Sequence, residues 1–250
     1  MKQKPIKVLT NSSQKEIDER RSFFELFKVS PLPESELLQN LGLYINRQTL
    51  SRIIFMHELY KRILHVHGVI IEFGVRWGQN LALFESFRGM YEPYNYNRKI
   101  IGFDTFSGFP EITDQDGKVA QVGDYSVQDN YEEYLKKVLL YHESENPISH
   151  KRKISIVKGD AVETFGDYLK NHPETIVAFA YFDFDLYKPT KECLRLLLPR
   201  ITKGSIIAFD ELNCPEFPGE TLAVMEVLGL TNYAIRRNPL NPLISYIVIN

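Results

Sequence analysis

Apolar side chains Leu50, Ile53, Ile54, Leu59, Ile63 and Leu64 recur at helical spacing between Thr49 and Leu64, which predicts a helix with one face built for burial. Gly68 follows as its stop signal. Upstream, residues 1–30 are polar and irregular apart from a short amphipathic stretch around Ile17–Phe27. Pro31 and Pro33 then interrupt the chain before the next helical pattern. Residues 1–65 therefore read as a helical prelude.

After Gly68 the period changes. The short apolar runs Val69–Phe73, Lys99–Phe103, Lys153–Val157, Ile176–Phe182 and Ser205–Phe209 read as strands buried on both faces. Helical segments Gln79–Met90, Tyr131–Tyr141, Ala161–Asn171 and Thr190–Pro199 lie between most of them. Such alternation predicts the α/β class, a mostly parallel sheet covered by helices on both faces. Tyr233–Arg237 and Ile244–Ile249 flank Asn-Pro-Leu-Asn-Pro, a turn sequence, so a terminal hairpin brings the count to seven strands, the last antiparallel. Residues 107–130 are rich in Gly, Asp and Pro and carry no period. A loop of that length inside a compact domain is expected to be an active-site loop, so residues 66–250 are read as one domain with 107–130 as its lid.

Composition narrows the function without naming it. The 250 residues hold 30 lysines and arginines against 32 acids, a net charge of −2, which argues against binding nucleic acid through a basic surface. No apolar run approaches the length of a membrane span, and the basic start MKQKPIKVLTNSSQKE has no apolar core of a secretory signal. Cys193 and Cys214 lack any metal-binding spacing and read as reduced thiols, so a cytoplasmic protein is expected. The six histidines read as packing or surface residues.

In an open α/β sheet, ligands gather beyond the carboxyl ends of the strands. The first run leads into Glu72-Phe-Gly74-Val75-Arg76-Trp77-Gly78. Its glycines allow a tight turn and close backbone approach to a ligand, and the following helix start offers free N–H groups. The pattern E-x-G-x-x-x-G is not the G-x-G-x-x-G of dinucleotide folds. Trp77 either walls a cofactor pocket or packs the helix start. The second run ends in Asp104, an acid placed to bind a ribose diol, or else a solvated loop acid or a helix cap. Asp160, before Ala161, either accepts from an adenine amino group or caps the next helix. The fourth and fifth runs end in Asp183-Phe-Asp185-Leu-Tyr187 and Asp210-Glu211. Carboxylates at neighbouring strand tips repel unless a cation lies among them, and oxygen-only ligands favour Mg²⁺.

Together Glu72–Gly78, the segment Asp104-Thr105-Phe-Ser-Gly-Phe-Pro110, Asp183–Tyr187 and Asp210-Glu211 resemble the class I S-adenosylmethionine-dependent methyltransferases, more narrowly the macrocin and mycinamicin sugar O-methyltransferases. The likeness spans roughly residues 68–230. It implies a Rossmann-like seven-stranded sheet of order 3-2-1-4-5-7-6, S-adenosyl-L-methionine and Mg²⁺ as cofactors, and a homo-oligomer acting on a sugar hydroxyl. By that resemblance Glu72, Gly74, Val75, Arg76, Trp77, Gly78 and Asn80 hold the methionine part. Asp104 and Thr105 take the ribose, and Asp160 and Ala161 border the adenine. Asp183, Asp210 and Glu211 would bind the metal, with Asp183 also at the cofactor and Asp183 or Asp185 serving catalysis. Glu211 and Phe184 depart from the family pattern, which more often has Asp and Gly there. A metal-dependent hydrolase or hydroxylase and a nicotinamide-dependent oxidoreductase stand as alternatives.

Overall fold

A computed structural model describes residues 12–250; residues 1–11, the greater part of the segment read as lacking a signal, lie outside the described residues. Three helices come first: α1 (Gln14–Lys28), α2 (Glu34–Leu37) and α3 (Arg47–Arg62). Ser13 caps α1 in a reciprocal box, accepting from the Glu16 N–H while the Glu16 carboxylate takes the Ser13 N–H at 2.8 Å. Asn46 caps α3, its Oδ1 accepting from the Thr49 N–H at 2.8 Å. Helices α1 and α2 bury none of their side chains, whereas α3 sinks Phe55, Met56, Leu59 and Tyr60 into the core. The buried stripe of α3 is rotated from the one the sequence pattern predicts: Leu50 and Ile54 remain exposed while the aromatics carry the contact.

The sheet follows as β1 (Val69–Phe73), α4 (Gln79–Tyr91), β2 (Ile100–Asp104), α5 (Tyr131–Ser144), β3 (Ile154–Lys158), α6 (Ala161–Asn171) and β4 (Val177–Phe182). It continues through α7 (Tyr187–Leu197), β5 (Ile201–Phe209), α8 (Gly219–Val227), β6 (Arg236–Asn238) and β7 (Asn241–Val248). The strand order is β3-β2-β1-β4-β5-β7-β6, the order implied by the resemblance. β7 pairs antiparallel with both β5 and β6, and the remaining pairs are parallel. The closing hairpin is thus present, with β6 shorter and later than Tyr233–Arg237.

Because strand side chains alternate faces, each strand feeds two cores. Ile70, Ile100, Phe179, Tyr181 and Ile206 pack with α3, α4 and α5, through Phe55, Leu59, Phe84 and Leu135. Ile71, Phe73, Phe103, Phe182 and Phe209 pack with α6, α7 and α8, through Phe165, Leu194 and Val224. Helix α8 is an element the sequence pattern does not predict. It starts at Pro218-Gly219, and its apolar residues form no stripe to read.

Sheet order reverses between β1 and β4, the place where an open α/β sheet leaves a crevice. Two backbone bonds prolong the ladder just past the strand ends there. The Gly74 N–H donates to Phe103 O at 2.9 Å and the Asp183 N–H to Phe73 O at 2.8 Å. The loops leaving the strands are therefore fixed at their roots.

Candidate active site

A cavity of about 410 Å³ opens at that crevice, a size suited to a small-molecule ligand. Its walls include Glu72, Gly74 to Gly78, Asn80, Asp104, Thr105, Asp160, Ala161, Asp183, Asp185, Asp210 and Glu211. The structure thus brings every sequence-predicted site residue to one pocket.

The glycine loop forms one wall. Gly74 has φ 87°, and a Cβ there would meet the Asp183 carbonyl, so only glycine fits between the two strand tips. Gly78 caps α4 at φ 76°, against the Leu135 side chain. Arg76 adopts φ 48°, and its N–H donates to Asp104 Oδ2 at 2.7 Å. Its guanidinium lies over the Tyr125 ring at 4.8 Å. Trp77 is half-exposed and meets Tyr131 edge-on at 4.8 Å, so it both walls the pocket and packs toward α5.

Glu72 is buried beside this loop. Asn80 Nδ2 donates to its Oε1 at 2.8 Å, while its Oε2 is buried without a partner. Burial pushes its carboxyl well above the usual range, against the pull of Asn80. A buried oxygen facing a cavity with no donor marks a place where a ligand donor belongs. Asp104 accepts from two backbone groups, Arg76 N–H and Phe106 N–H, and burial raises its pKa despite them. Asp160 does cap α6, accepting from the Val162 N–H at 2.9 Å, and it lines the pocket as well.

The segment 107–130 is no free flap in this structure. Phe109, Ala120, Leu186 and Phe217 form a separate small core, with Tyr125 packed on it. Asp116 is buried and accepts from Thr113 N–H and Oγ1–H, both at 2.7 Å, and from the Tyr187 N–H at 2.6 Å. This pin ties the loop to the start of α7. Gly108, Phe109, Pro110 and Tyr125 then face the cavity.

The acid cluster forms the floor. Asp183 and Asp185 follow β4, and Asp210 and Glu211 follow β5. Asp185 is buried with φ 60°, a strained value for a residue with a side chain. Burial and then mutual repulsion hold Asp183, Asp185 and Glu211 above the ordinary carboxylate range. Glu220, fully buried on α8, accepts from the N–H groups of Phe184 at 3.2 Å and Glu211 at 3.3 Å and so braces both loops. Phe184 lines the cavity as well and packs at a tilt against Phe73, with ring centroids 5.5 Å apart, so it adds an apolar side chain beside the acid floor.

The expected magnesium set does not assemble in this arrangement. Among the described residues no group of three acids, histidines or cysteines is placed to hold a metal. The physical reason is Arg52 of α3, which no sequence motif marks. Its guanidinium lies between the two acids, Nη1 donating to Asp210 Oδ1 at 3.0 Å and Nη2 to Asp183 Oδ2 at 3.4 Å. Nη2 also reaches Tyr181 Oη at 3.0 Å, and that hydroxyl donates in turn to Asp210 Oδ1. The donors themselves are still those a hard cation takes. They are oxygen only, but Asp183 and Asp210 are already neutralised by the Arg52 guanidinium.

The chain is similar over its whole length to two solved structures of one protein. The calicheamicin methyltransferase CalS11 is 41% identical, covers 99% of this chain with 98% of its own, and superposes with a TM-score of 0.92. The apo form of CalS11, described as a TDP-rhamnose 3'-O-methyltransferase of calicheamicin biosynthesis, is 40% identical, covers 96% of each chain and gives 0.85. The O-methyltransferase NovP, 16% identical over 80% of each chain with a TM-score of 0.57, shares the fold. No family model and no curated protein matches the chain.

Proposed function

Because the chain belongs to the sugar O-methyltransferases of the class I S-adenosylmethionine-dependent fold, we propose that it methylates a hydroxyl of a nucleotide-linked or otherwise glycosidic sugar. The oxidoreductase and hydrolase alternatives fall with that membership. The observation that carries the reading is the pairing of two features in one cavity: a glycine-walled pocket with the unpartnered Glu72 Oε2, and an acid floor beside it.

In this reading Glu72, Gly74, Val75, Arg76, Trp77, Gly78 and Asn80 receive the methionine part of the cofactor. Asp104 and Thr105 face the ribose, and Asp160 and Ala161 face the adenine. When bound, S-adenosyl-L-methionine supplies an electrophilic methyl on a sulfonium, to be taken in line by a hydroxyl oxygen. The protein's own task is then to orient the hydroxyl and remove its proton. Asp185, with Asp183 beside it, is the base. Burial and the neighbouring acids raise its carboxyl above the ordinary range, which makes it a stronger proton acceptor once ionised. The Mg²⁺ expected at Asp183, Asp210 and Glu211 is left out of this reading, because Arg52 already neutralises two of the three carboxylates.

Residues 107–130 close over the acceptor, with Phe109 and Tyr125 as its apolar wall. Helix α3 supplies the other side through Arg52. Helix α1 leaves Phe23 and Phe24 exposed, and the 3-10 turn after α2 leaves Leu38 and Leu43 exposed, which favours self-association into the expected homo-oligomer. Light scattering on the purified chain tests this. No helix among the described residues is long and apolar enough to cross a membrane.

Calorimetric titration with S-adenosylhomocysteine, followed by methyl transfer to TDP-rhamnose, tests the function. Micromolar binding and a methylated sugar are expected. Absence of cofactor binding, or binding with no turnover on any sugar hydroxyl, would refute it.

A further inference from the structure

We propose that Arg76 determines specificity for a phosphate-linked acceptor: its guanidinium takes phosphate oxygens that join the sugar to its carrier, so a neutral glycoside is a poor substrate. This deepens the sugar methyltransferase reading and rests on it. The walls of the cavity hold seven carboxylates and two arginines. Arg52 is taken up by Asp183 and Asp210. Among the described residues Arg76 is the one lining cation without an ion pair, and its Nε is buried with no hydrogen-bond partner. A buried donor left unmatched in a cavity wall marks where a ligand acceptor belongs. In a pocket otherwise lined by acids, an anionic group on the ligand finds its free counter-charge at Arg76.

The geometry holds the side chain in place while leaving its donors free. The Arg76 N–H is fixed by Asp104 Oδ2 at 2.7 Å, and the backbone sits at φ 48°, which sets where the side chain leaves the glycine wall. Its guanidinium lies 4.8 Å from the ring centroid of Tyr125 and 5.9 Å from that of Trp77. Two aromatic rings thus hold the charge without using up its N–H fork. That fork matches two oxygens of one phosphate, whereas a neutral sugar offers it no counter-charge. Tyr125 belongs to the segment 107–130, read above as the acceptor's wall, so the guanidinium resting on it stands on the acceptor side. The same charge pulls on the carboxyls of Asp104 and Asp183, which puts it between the ribose acid and the acid floor.

The test is calorimetric titration of the full chain with thymidine diphosphate, with and without saturating S-adenosylhomocysteine, in wild type, Arg76→Gln and Arg76→Lys. S-adenosylhomocysteine is titrated into the same samples. Loss of a charge-assisted pair to phosphate should weaken thymidine diphosphate binding about 10–100-fold in Arg76→Gln, and S-adenosylhomocysteine binding less. Arg76→Lys keeps the charge without the fork and should fall between. A loss on S-adenosylhomocysteine as large as that on the diphosphate gives the guanidinium to the cofactor's carboxylate and overturns the proposal. Unchanged diphosphate affinity in Arg76→Gln overturns it too, as does a wild type that binds no diphosphate. A second measurement needs no variant: wild-type turnover on methyl rhamnoside should fall well below that on TDP-rhamnose, and equal turnover on both overturns the proposal. A wild type that binds no S-adenosylhomocysteine refutes the methyltransferase reading instead, and the diphosphate titration run without it still tests the phosphate contact at Arg76.

Discussion

Gly74 faces Asp183 across the gap between the first and fourth strands, so closely that a Cβ built on it would lie 2.0 Å from the Asp183 carbonyl oxygen. The Gly74 backbone, at φ 87°, lies in a region that side-chain-bearing residues avoid. This contact sets the spacing between the cofactor wall and the acid floor.

Gly74→Ala is therefore expected to force the two strand tips apart. Backbone strain and the clash together should cost at least about 2 kcal/mol of stability. Thermal unfolding and S-adenosylhomocysteine titration report the two consequences, a lowered Tm and weakened binding. An unchanged Tm would mean that the tips are more pliant than this contact implies.

Asp185→Asn separates chemistry from folding. Removing the base should lower kcat about 10²–10⁴-fold while the cofactor still binds. The same change removes a negative charge that Asp183, Glu211 and Glu220 all repel, and asparagine tolerates positive φ. Tm should consequently rise as activity falls. A variant that keeps its turnover would transfer the base role to Asp183.

The pH dependence of stability has a definite sign. Burial raises the carboxyls of Glu72, Asp183, Asp185 and Glu220 in the folded chain, so the native state binds more protons than the unfolded one. Their contribution is fully present below the unfolded carboxyl pKa of about 4 and is lost as pH rises through the higher folded values. Glu92 and Glu132, whose pKa values are lowered, act oppositely and only as pH falls below that same unfolded value. With chelator present, Tm measured from mildly acidic to alkaline pH should decline steadily. A rising Tm over that interval would contradict the buried acid floor.

Asp116→Ala probes the loop pin. It leaves the N–H groups of Thr113 and Tyr187 and the Thr113 hydroxyl without their acceptor. Buried unsatisfied donors cost about 1–3 kcal/mol. Hydrogen exchange should accelerate across 107–130, and KM for the sugar acceptor should rise more than KM for the cofactor. Equal effects on both KM values would mean that the loop serves the whole pocket.

Trp77 is the one tryptophan in the chain and lines the cavity. Cofactor binding should shift and saturate its fluorescence, giving a titration that needs no label. Trp77→Phe should abolish the signal while calorimetry still detects binding.

The strands and the cofactor wall were legible because burial on both faces writes dense apolar runs, and because tight turns at strand tips demand glycine and acids. Val69–Phe73 and Ala161–Asn171 fall where the pattern places them. Helix α8 was not legible, since its apolar residues run all round it and no amphipathic stripe distinguishes it from loop. Arg52 was hidden differently. A single charge on a helix read for its buried face gives no local sign that it reaches across more than a hundred residues to Asp183 and Asp210. Glu220 was missed with its helix, although an acid just after Pro218-Gly219 is a common helix-start signal.

Four of the seven non-glycine residues with positive φ among those described gather around the pocket: Arg76, Phe106, Tyr125 and Asp185 at φ 48°, 57°, 62° and 60°. Glycine at any of them would relax the backbone, yet each side chain there forms the site or packs beside it. Selection for heat tolerance alone would thus be drawn to the positions where activity is easiest to lose. A directed-evolution campaign on this scaffold should screen turnover alongside melting temperature, and should seek robustness on the faces of α6 and α7 that lie away from the crevice.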